Sequence, residues 1–190
     1  MNLSSNGVDF IKSHEGLSLV AYKGAGETYW TIGYGHYGSD VYEGMTITEA
    51  QAEALLIEDL VRFVVYTNDI ALAKFPSMNQ NQFDALVSYC YNRGPGASDG
   101  SNGLRQLIYN SDTLEEVSNN FLVYWGTNTS AYEGLMNRRR AEKELFDSTY
   151  SGGGGGSGSI TPPAKKKNNY NFVLFNQKRR FQQLWKKRIF

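Results

Sequence analysis

The fold of this chain is decided by the stretch HEGLSLVAYK at residues 14–23 and the stretch YWTIGYGH at residues 29–36. The first stretch follows a short apolar-periodic segment with serine caps, and Gly16 is a stop signal for a helix. The second stretch alternates Tyr, Trp, Thr and Ile with glycines, which predicts a small hairpin or ribbon over residues 29–37. A helix that ends at a carboxylic acid therefore precedes a glycine-bent β-element.

Helical patterns fill most of the remaining sequence up to residue 150. A capping box begins at Thr48, and the helix that it opens has four inward candidates: Leu56, Leu60, Phe63 and Val64. The predicted helices span residues 49–69, 79–92 and 133–147, and a further helix begins at a cap at Asp112 or Thr113. The residues between 96 and 103 predict a turn. We therefore expect an α+β fold that is mostly helical, with a small N-terminal β-hairpin or ribbon beside a helical lobe.

Charge divides the chain into two parts. Residues 1–159 carry all 19 acidic side chains and 10 of the 19 basic ones, whereas residues 160–190 carry the other nine basic side chains. The formal net charge of zero therefore combines a balance of −9 with one of +9. Residues 151–164 are rich in Gly and Ser and then in Pro, which predicts a flexible connector followed by a stiffer spacer. We expect a folded domain at 1–150, a linker, and a basic segment at 165–190.

The chain has one cysteine and two histidines. Cys90 lies at helical spacing from Phe83, Leu86 and Val87, so we expect a buried small hydrophobe rather than a reactive thiol. A single cysteine excludes an internal disulfide. Two histidines without a partner cluster do not predict a metal site, and we expect neither a metal nor a cofactor.

The two groups needed to cleave a glycosidic bond are available in this sequence. Cleavage requires one group that protonates the leaving oxygen and another that positions a water. Glu15 would lie at the C-terminal end of the first helix, where the helix dipole and burial both disfavour an anion and suit a proton donor. A nearby arginine would act in the opposite direction. Thr31 supplies a hydroxyl and Glu27 a second carboxyl on the side of the ribbon.

Four stretches together resemble the phage-type lysozyme family, the muramidase endolysins that cut bacterial peptidoglycan between N-acetylmuramic acid and N-acetylglucosamine. They are HEGLSLVAYK (14–23), YWTIGYGHYGSDV (29–41), NQFDALVSYCYNRGPGA (81–97) and GLMNRRRAEKELF (134–146). They stand in the family's order, and their combination is specific. The second stretch is most similar to endolysins from small tailed phages of Gram-positive bacteria. The resemblance implies a lysozyme-like fold with a substrate cleft between the β-ribbon and the helical lobe.

The resemblance also implies catalytic roles by position. Glu15 matches the general acid, and the Thr31 hydroxyl would help to hold the attacking water. The family's usual second carboxylate is an Asp directly after the Tyr-Lys pair, where this chain has Gly24. The loop that leads to Thr31 is one residue longer than the common form, and Glu27 is its only acid. We therefore interpret Glu27 as the group that activates water, with a solvated loop acid as the alternative.

Four further positions are candidate substrate-binding residues. Arg138 and Arg139 match the family's arginine pair near the catalytic glutamate, and we expect one of them to contact Glu15 or the substrate. Asn92 matches the end of a helix that would line the floor of the cleft. His36 ends the Gly-Tyr-Gly-His turn, and we interpret it as a structural hydrogen-bonder at the site.

The resemblance favours inverting hydrolysis of the β-1,4 bond, and two alternatives stay open. The missing Asp keeps a lytic transglycosylase plausible, since that reaction needs the acid alone. It also keeps a non-catalytic wall-binding or membrane-permeabilising protein open. The expected partner is bacterial peptidoglycan, bound by a monomer, and nucleic acid is not expected. Because the N-terminus lacks the layout of a signal peptide and no apolar run has the length of a membrane span, we expect the host cytoplasm before release and the cell wall afterwards.

The basic segment at 165–190 contains no Gly or Pro. On a helical projection its apolar side chains form one broad stripe: Leu174, Phe181, Leu184, Trp185 and Ile189. Such a cationic amphipathic segment is attracted to anionic lipid headgroups or wall polymers, which is the interpretation that we rank first. An engineered peptide addition and a segment that folds back onto the acidic domain are the alternatives.

Overall fold

The computed structural model describes residues 1–98, 100, 102–123 and 132–149. Its elements in chain order are α1 (Ser5–His14), β1 (Ser18–Tyr22), β2 (Trp30–Gly33), β3 (His36–Gly38), α2 (Glu49–Thr67), a π-helix (Asn68–Leu72), α3 (Gln80–Arg93), α4 (Gly103–Tyr109), α5 (Leu114–Asn120) and α6 (Tyr132–Asp147). The expected α+β class with mostly helical structure is confirmed. The predicted linker at 151–164 and the basic segment at 165–190 lie outside the described residues.

Side-chain caps determine where several helices begin. The side chains of Ser4, Thr48, Asn79 and Thr113 each accept a hydrogen bond from the backbone N–H three residues further on. At Thr48 and Asn79 a glutamine reciprocates, which completes a capping box. At the other end of α3, Gly94 has a φ of +83°, a backbone conformation that favours glycine. The predicted helices at 49–69, 79–92 and 133–147 therefore agree closely with the observed bounds.

The three strands form one antiparallel sheet in the order β1–β2–β3. In β2, Thr31 lies opposite Tyr22 of β1 and Tyr37 of β3. Adjacent residues of a strand point to opposite faces, so Thr31 and Ile32 face opposite sides of the sheet. The predicted ribbon at 29–37 contains β2 and most of β3, whereas β1 was not predicted. The sequence of β1 does not alternate between apolar and polar residues as a half-buried strand does. Most of its apolar side chains are exposed.

Two clusters of apolar side chains form the core. The larger cluster surrounds α3 and includes the four residues that the pattern of α2 predicts to point inward: Leu56, Leu60, Phe63 and Val64. Cys90 is fully buried in it, and burial raises the pKa of its thiol, as expected for an unreactive cysteine. The smaller cluster joins Ala21, Ile32 and Val41 to Leu55 of α2. Helix α2 thus packs against both the sheet and the helical lobe.

Helix α1 is fixed against α3 at its N-terminal end. The Ser4 backbone N–H donates to Asp84 Oδ1 at 3.1 Å, and the Ser4 hydroxyl donates to Asp84 Oδ2. A Cβ atom at Gly7 would lie 2.6 Å from a Leu3 methyl carbon and 2.7 Å from Asp84 Cγ, so the two helices approach too closely for a side chain. This contact sets the direction of α1 and hence the position of Glu15 just beyond its end.

The π-helix and α4 were not predicted. Helix α4 follows the glycine-rich turn, and Asn102 at its start makes no side-chain cap hydrogen bond. Its inward face, including Leu104 and Leu107, is fully buried against the larger cluster. Packing rather than a local start signal therefore stabilises this short helix.

Candidate active site

Glu15 is the residue that ends α1. Its backbone N–H donates to the Lys12 carbonyl at 3.2 Å, which closes the last turn of the helix. Its side chain is 8% exposed, and Oε1 lies 2.6 Å from Nη1 of Arg138 on α6. The expectation that one arginine contacts Glu15 agrees with this geometry, and the residue is Arg138.

The Arg138 guanidinium contacts three partners at once. Besides Glu15, Nε donates to Glu142 Oε1 at 3.1 Å, and Nη2 donates to the Ser88 hydroxyl at 3.3 Å. Burial lowers the pKa of Arg138, but the charges of Glu142 and Glu15 more than offset it, so the pKa lies above its usual value. The guanidinium therefore stays charged although it is buried.

Arg139, the next residue of α6, has a different set of partners. Its Nη2 donates to Asn92 Oδ1 at 2.8 Å and to Glu142 Oε1 at 3.1 Å. The guanidinium carbon lies 4.6 Å from the centre of the Tyr89 ring. Burial lowers the pKa of Arg139, and Glu142 opposes this effect. Arg139 is thus held between α3 and α6, 1% exposed, and Asn92 is fixed through it.

Glu142 was not among the predicted site residues. It is fully buried, and Oε1 accepts hydrogen bonds from Ser88, Arg138 and Arg139. Its Oε2 lies 3.1 Å from Arg139 Nη1, close enough for an ion pair but outside hydrogen-bond geometry. The sequence signal was its spacing of four and three residues from the two arginines, which places all three on one helix face.

Thr31 is 5% exposed in the middle strand. Its neighbour Ile32 points into the smaller core cluster, so Thr31 faces the other side of the sheet together with Tyr22 and Tyr37. Tyr22 is half exposed, whereas Tyr37 is mostly covered. The hydroxyl that the resemblance assigns to water binding therefore lies on the face of the sheet away from the smaller cluster.

Glu27 lies in the loop between β1 and β2, half-buried. Its Oε2 accepts a hydrogen bond from the backbone N–H of Gly24 at 2.8 Å, and its own N–H donates to the Gly24 carbonyl at 3.1 Å. Glu27 is thus tied directly to the position where the family's usual Asp would stand.

His36 connects the sheet with α2. Its Nδ1 lies 3.0 Å from Asp59 of α2, and its Nε2 lies 2.9 Å from Asp40. The hydrogen bond to Asp59 raises the pKa of His36 to about 8, against the effect of burial and with a further contribution from Asp40. Asp59 also accepts from Arg62 at 3.0 Å. Both ring nitrogens are therefore engaged by carboxylates, a contact set that stabilises the sheet against the helix.

The described residues bring some predicted positions together and leave others apart. Glu15, Arg138, Arg139 and Asn92 belong to one network, whereas Thr31, Glu27 and His36 belong to the sheet and its loops. A surface cavity of about 450 Å³ between α3, α5 and α6 is lined by none of these seven residues. Within the described ranges, no cluster of side chains could hold a metal ion, and no helix is long and apolar enough to cross a membrane.

The architecture and the buried acid define a lysozyme-like protein. The solved muramidase domain of SpmX from Asticaccaulis excentricus is 31% identical, with a TM-score of 0.63, and the match covers 77% of this chain and 98% of that one. The Phage lysozyme family matches residues 12–142, and the chain belongs to this family. The resemblance inferred from the four stretches is confirmed.

Two relatives come from phages of a Gram-positive host genus. The endolysin of Bacillus phage B103 is 43% identical over 147 residues, which are 77% of this chain and 54% of that protein. The endolysin of Bacillus phage PZA is 44% identical over 149 residues, which are 78% of this chain and 56% of that protein. This chain therefore spans about half the length of these two relatives.

Proposed function

We propose that this chain hydrolyses the β-1,4 bond between N-acetylmuramic acid and N-acetylglucosamine in bacterial peptidoglycan, with Glu15 as the general acid. The observation that carries this proposal is the nearly buried Glu15 carboxyl at the end of α1, held by Arg138, in a member of the Phage lysozyme family. The names of its relatives support the substrate class, since two are endolysins and one is a muramidase domain.

In this reaction Glu15 donates its proton to the glycosidic oxygen as the bond to the anomeric carbon breaks. A water attacks that carbon, the Thr31 hydroxyl holds the water, and the Glu27 carboxylate accepts its proton. Inversion requires carboxyls roughly 6.5–9.5 Å apart, which leaves room for the water. Glu15 follows α1, and Glu27 lies between β1 and β2, so the two carboxyls come from separate elements.

The remaining candidate residues differ in whether they contact the substrate or act through other residues. Asn92 lies half-buried in the last turn of α3 and is fixed by Arg139, which suits an amide that hydrogen-bonds a sugar. Arg138 contacts the acid itself. His36 acts through the sheet, because both its ring nitrogens are already engaged by carboxylates.

One observation favours a second reaction on the same bond. Gly24 stands where the family's usual Asp would stand, and a lytic transglycosylase needs the acid alone to form an anhydro-sugar. The two reactions leave different ends. Hydrolysis leaves a reducing muramic acid, and transglycosylation leaves an anhydro-muramic acid.

The test compares wild type, Glu15→Gln and the matched variant Glu58→Gln, which changes an exposed glutamate of α2. Turbidity loss of purified cell walls is measured, and the digests are analysed by mass spectrometry. We expect Glu15→Gln to lose a factor of about 10²–10⁴ in rate, Glu58→Gln to match wild type, and the products to carry reducing ends. Equal rates for Glu15→Gln and wild type would contradict the proposal that this chain is an enzyme with Glu15 as its acid. Anhydro ends in the products would show that the reaction is transglycosylation rather than hydrolysis.

We further propose that residues 165–190 direct a monomeric enzyme to the anionic envelope after its release from the host cytoplasm. Nine basic side chains without an acid support this role, since each supplies about 1 kcal/mol near an anionic surface. Replacement of all nine by Gln should slow lysis of intact cells and leave the rate on a soluble glycan unchanged. Equal lysis of intact cells by both chains would contradict targeting.

A further inference from the structure

The Glu142 carboxylate is the centre of the charged network behind Glu15. It is fully buried on α6, and its Oε1 accepts from Ser88 at 2.8 Å, from Arg138 Nε at 3.1 Å and from Arg139 Nη2 at 3.1 Å. Burial of an ionised carboxylate costs desolvation free energy, and the two guanidiniums and the hydroxyl offset that cost. None of these three contacts involves Glu15 itself.

Ser88 of α3 and Arg138 and Arg139 of α6 contact this carboxylate, and its charge also acts on Tyr89 of α3. Two further charged groups lie one contact away: Glu15 contacts Arg138, and the charge of Arg93 acts on Arg139. Burial lowers the pKa of Arg138, and of the two carboxylates that raise it the Glu142 charge has the larger effect and Glu15 the smaller one. Both carboxylates therefore keep Arg138 charged, and the proposed function assigns a chemical step to Glu15 alone.

We propose that Glu142 is a positioning residue for the hydrolytic site, which holds the Arg138 guanidinium in place and compensates its charge so that Glu15 can carry the proton it donates. This inference rests on the proposed function and assigns a role within it. An Arg138 side chain without Glu142 would have Glu15 as its only carboxylate contact among those described, and its full charge would favour the ionised acid.

The geometry explains why the compensation works without removing the contact to Glu15. Glu142 contacts Nε of the guanidinium, Ser88 contacts Nη2, and Glu15 contacts Nη1. The three partners contact different nitrogens of one planar guanidinium, so each contact holds the group without displacing the others. A planar group held at three nitrogens also fixes the carboxyl at the end of α1.

The test compares wild type, Glu142→Gln and Glu144→Gln, which changes an exposed glutamate two residues along the same helix. The measurement is kcat and KM against pH on a soluble glycan of alternating N-acetylglucosamine and N-acetylmuramic acid. For Glu142→Gln we expect kcat to fall about 10- to 100-fold with KM nearly unchanged, and the alkaline limb of the kcat/KM profile to move to lower pH. Glu144→Gln should match wild type in all three quantities.

A second variant separates positioning from folding, because Glu142→Gln removes the carboxylate that the buried Arg139 contacts. Glu142→Gln combined with Arg139→Met removes one charge of each sign and restores the balance of the cluster. The inference predicts the same shift of the alkaline limb in this double variant. A fall in kcat with an unmoved limb in both variants would make Glu142 purely structural and overturn the inference. Wild-type kinetics in both Glu142 variants would also overturn the inference. The proposed function has its own test, and it fails if Glu15→Gln stays active.

Discussion

Arg138 and Glu15 are 123 residues apart in the chain, and their side chains meet at 2.6 Å. The contact joins the last described helix to the residue that ends the first one. Both side chains are nearly buried, 5% and 8% exposed, and a buried ion pair is stable only when further hydrogen bonds satisfy it. Ser88 and Glu142 supply those bonds to Arg138, which therefore anchors the candidate acid to the helical lobe.

Two substitutions of Arg138 should separate the effect of its positive charge from the effect of its planar shape. Arg138→Lys keeps the charge, but an ammonium cannot contact Glu15, Ser88 and Glu142 in one plane, so we expect activity to fall about 10- to 100-fold. Arg138→Met removes the charge and should cost about 3–5 kcal/mol of unfolding free energy, because a buried pair is broken. Urea unfolding and wall turbidity measure the two effects. Arg140→Lys, at an exposed position of α6, should change neither. Unfolding of Arg138→Met at wild-type urea concentration would contradict this account.

Much of the fold was predictable because its start and stop signals are local. Thr48 and Asn79 cap their helices through their own side chains, and Gly94 ends α3 through its backbone. Strand β1 was not predictable, since Leu19 and Val20 are both exposed and no alternation marks the strand. Its place depends on pairing with β2, which no local pattern encodes.

The residues of the candidate site were predictable where they lie in sequence motifs. Glu15 and Arg138 were found from stretches that match a family, although their contact is tertiary. Glu142 was missed because a glutamate four residues after an arginine is typical of an exposed helix pair. Its hydrogen bond with Ser88 of α3 is a tertiary contact, which the spacing on α6 does not reveal.

His36 should make stability depend on pH in the neutral to alkaline range. Its pKa is about 8 in the folded chain and about 6.5 in an unfolded one, so folding favours the protonated ring. The resulting stabilisation is present in full below pH 6.5 and is lost as the pH rises through about 8. We expect this stabilisation to add about 1 kcal/mol to the free energy of unfolding, after allowance for solvent screening of a half-buried ring. Urea unfolding at pH 6 and pH 9 measures it, and His36→Gln should remove this difference. An unchanged difference in His36→Gln would assign it to other groups.

Gly7 should not tolerate the substitution that usually stabilises a helix. Alanine has the higher helix propensity by about 1 kcal/mol, but a Cβ here would collide with Leu3 and Asp84 at less than 3 Å. We therefore expect Gly7→Ala to lower the unfolding free energy by about 1–3 kcal/mol. Gly134→Ala on α6 is the matched control, because no described atom lies within 4 Å of its added Cβ. It should be neutral or stabilising, and equal effects at both positions would contradict the close approach of α1 and α3.

Thr31 should be sensitive to loss of its hydroxyl and tolerant of loss of its methyl group. Thr31→Val keeps the shape of a 5% exposed side chain, so we expect stability close to wild type and activity lower by about 10²-fold through a misplaced water. Thr31→Ser keeps the hydroxyl and should retain most of the activity. Circular dichroism melting and rates on the soluble glycan measure both quantities. Equal activity of the two variants would exclude a role for the hydroxyl.

Glu27 and Gly24 offer a test of whether the second carboxylate has moved along the loop. Glu27→Gln keeps an oxygen that accepts the Gly24 N–H, so the loop should hold its shape while the proton acceptor is lost. We expect the rate to fall by about 10²-fold, the lower range of general base catalysis.

Gly24→Asp in the Glu27→Gln background then places a carboxylate where the family usually carries one. Gly24 is not among the glycines with positive φ, so its backbone accepts a side chain. The double variant should regain at least about tenfold of the lost rate, because either position supplies a base next to the same water. Gly24→Ala in the same background is the control and should regain none. Wild-type activity of Glu27→Gln would show that water needs no carboxylate from this loop, and Thr31 would then hold it alone.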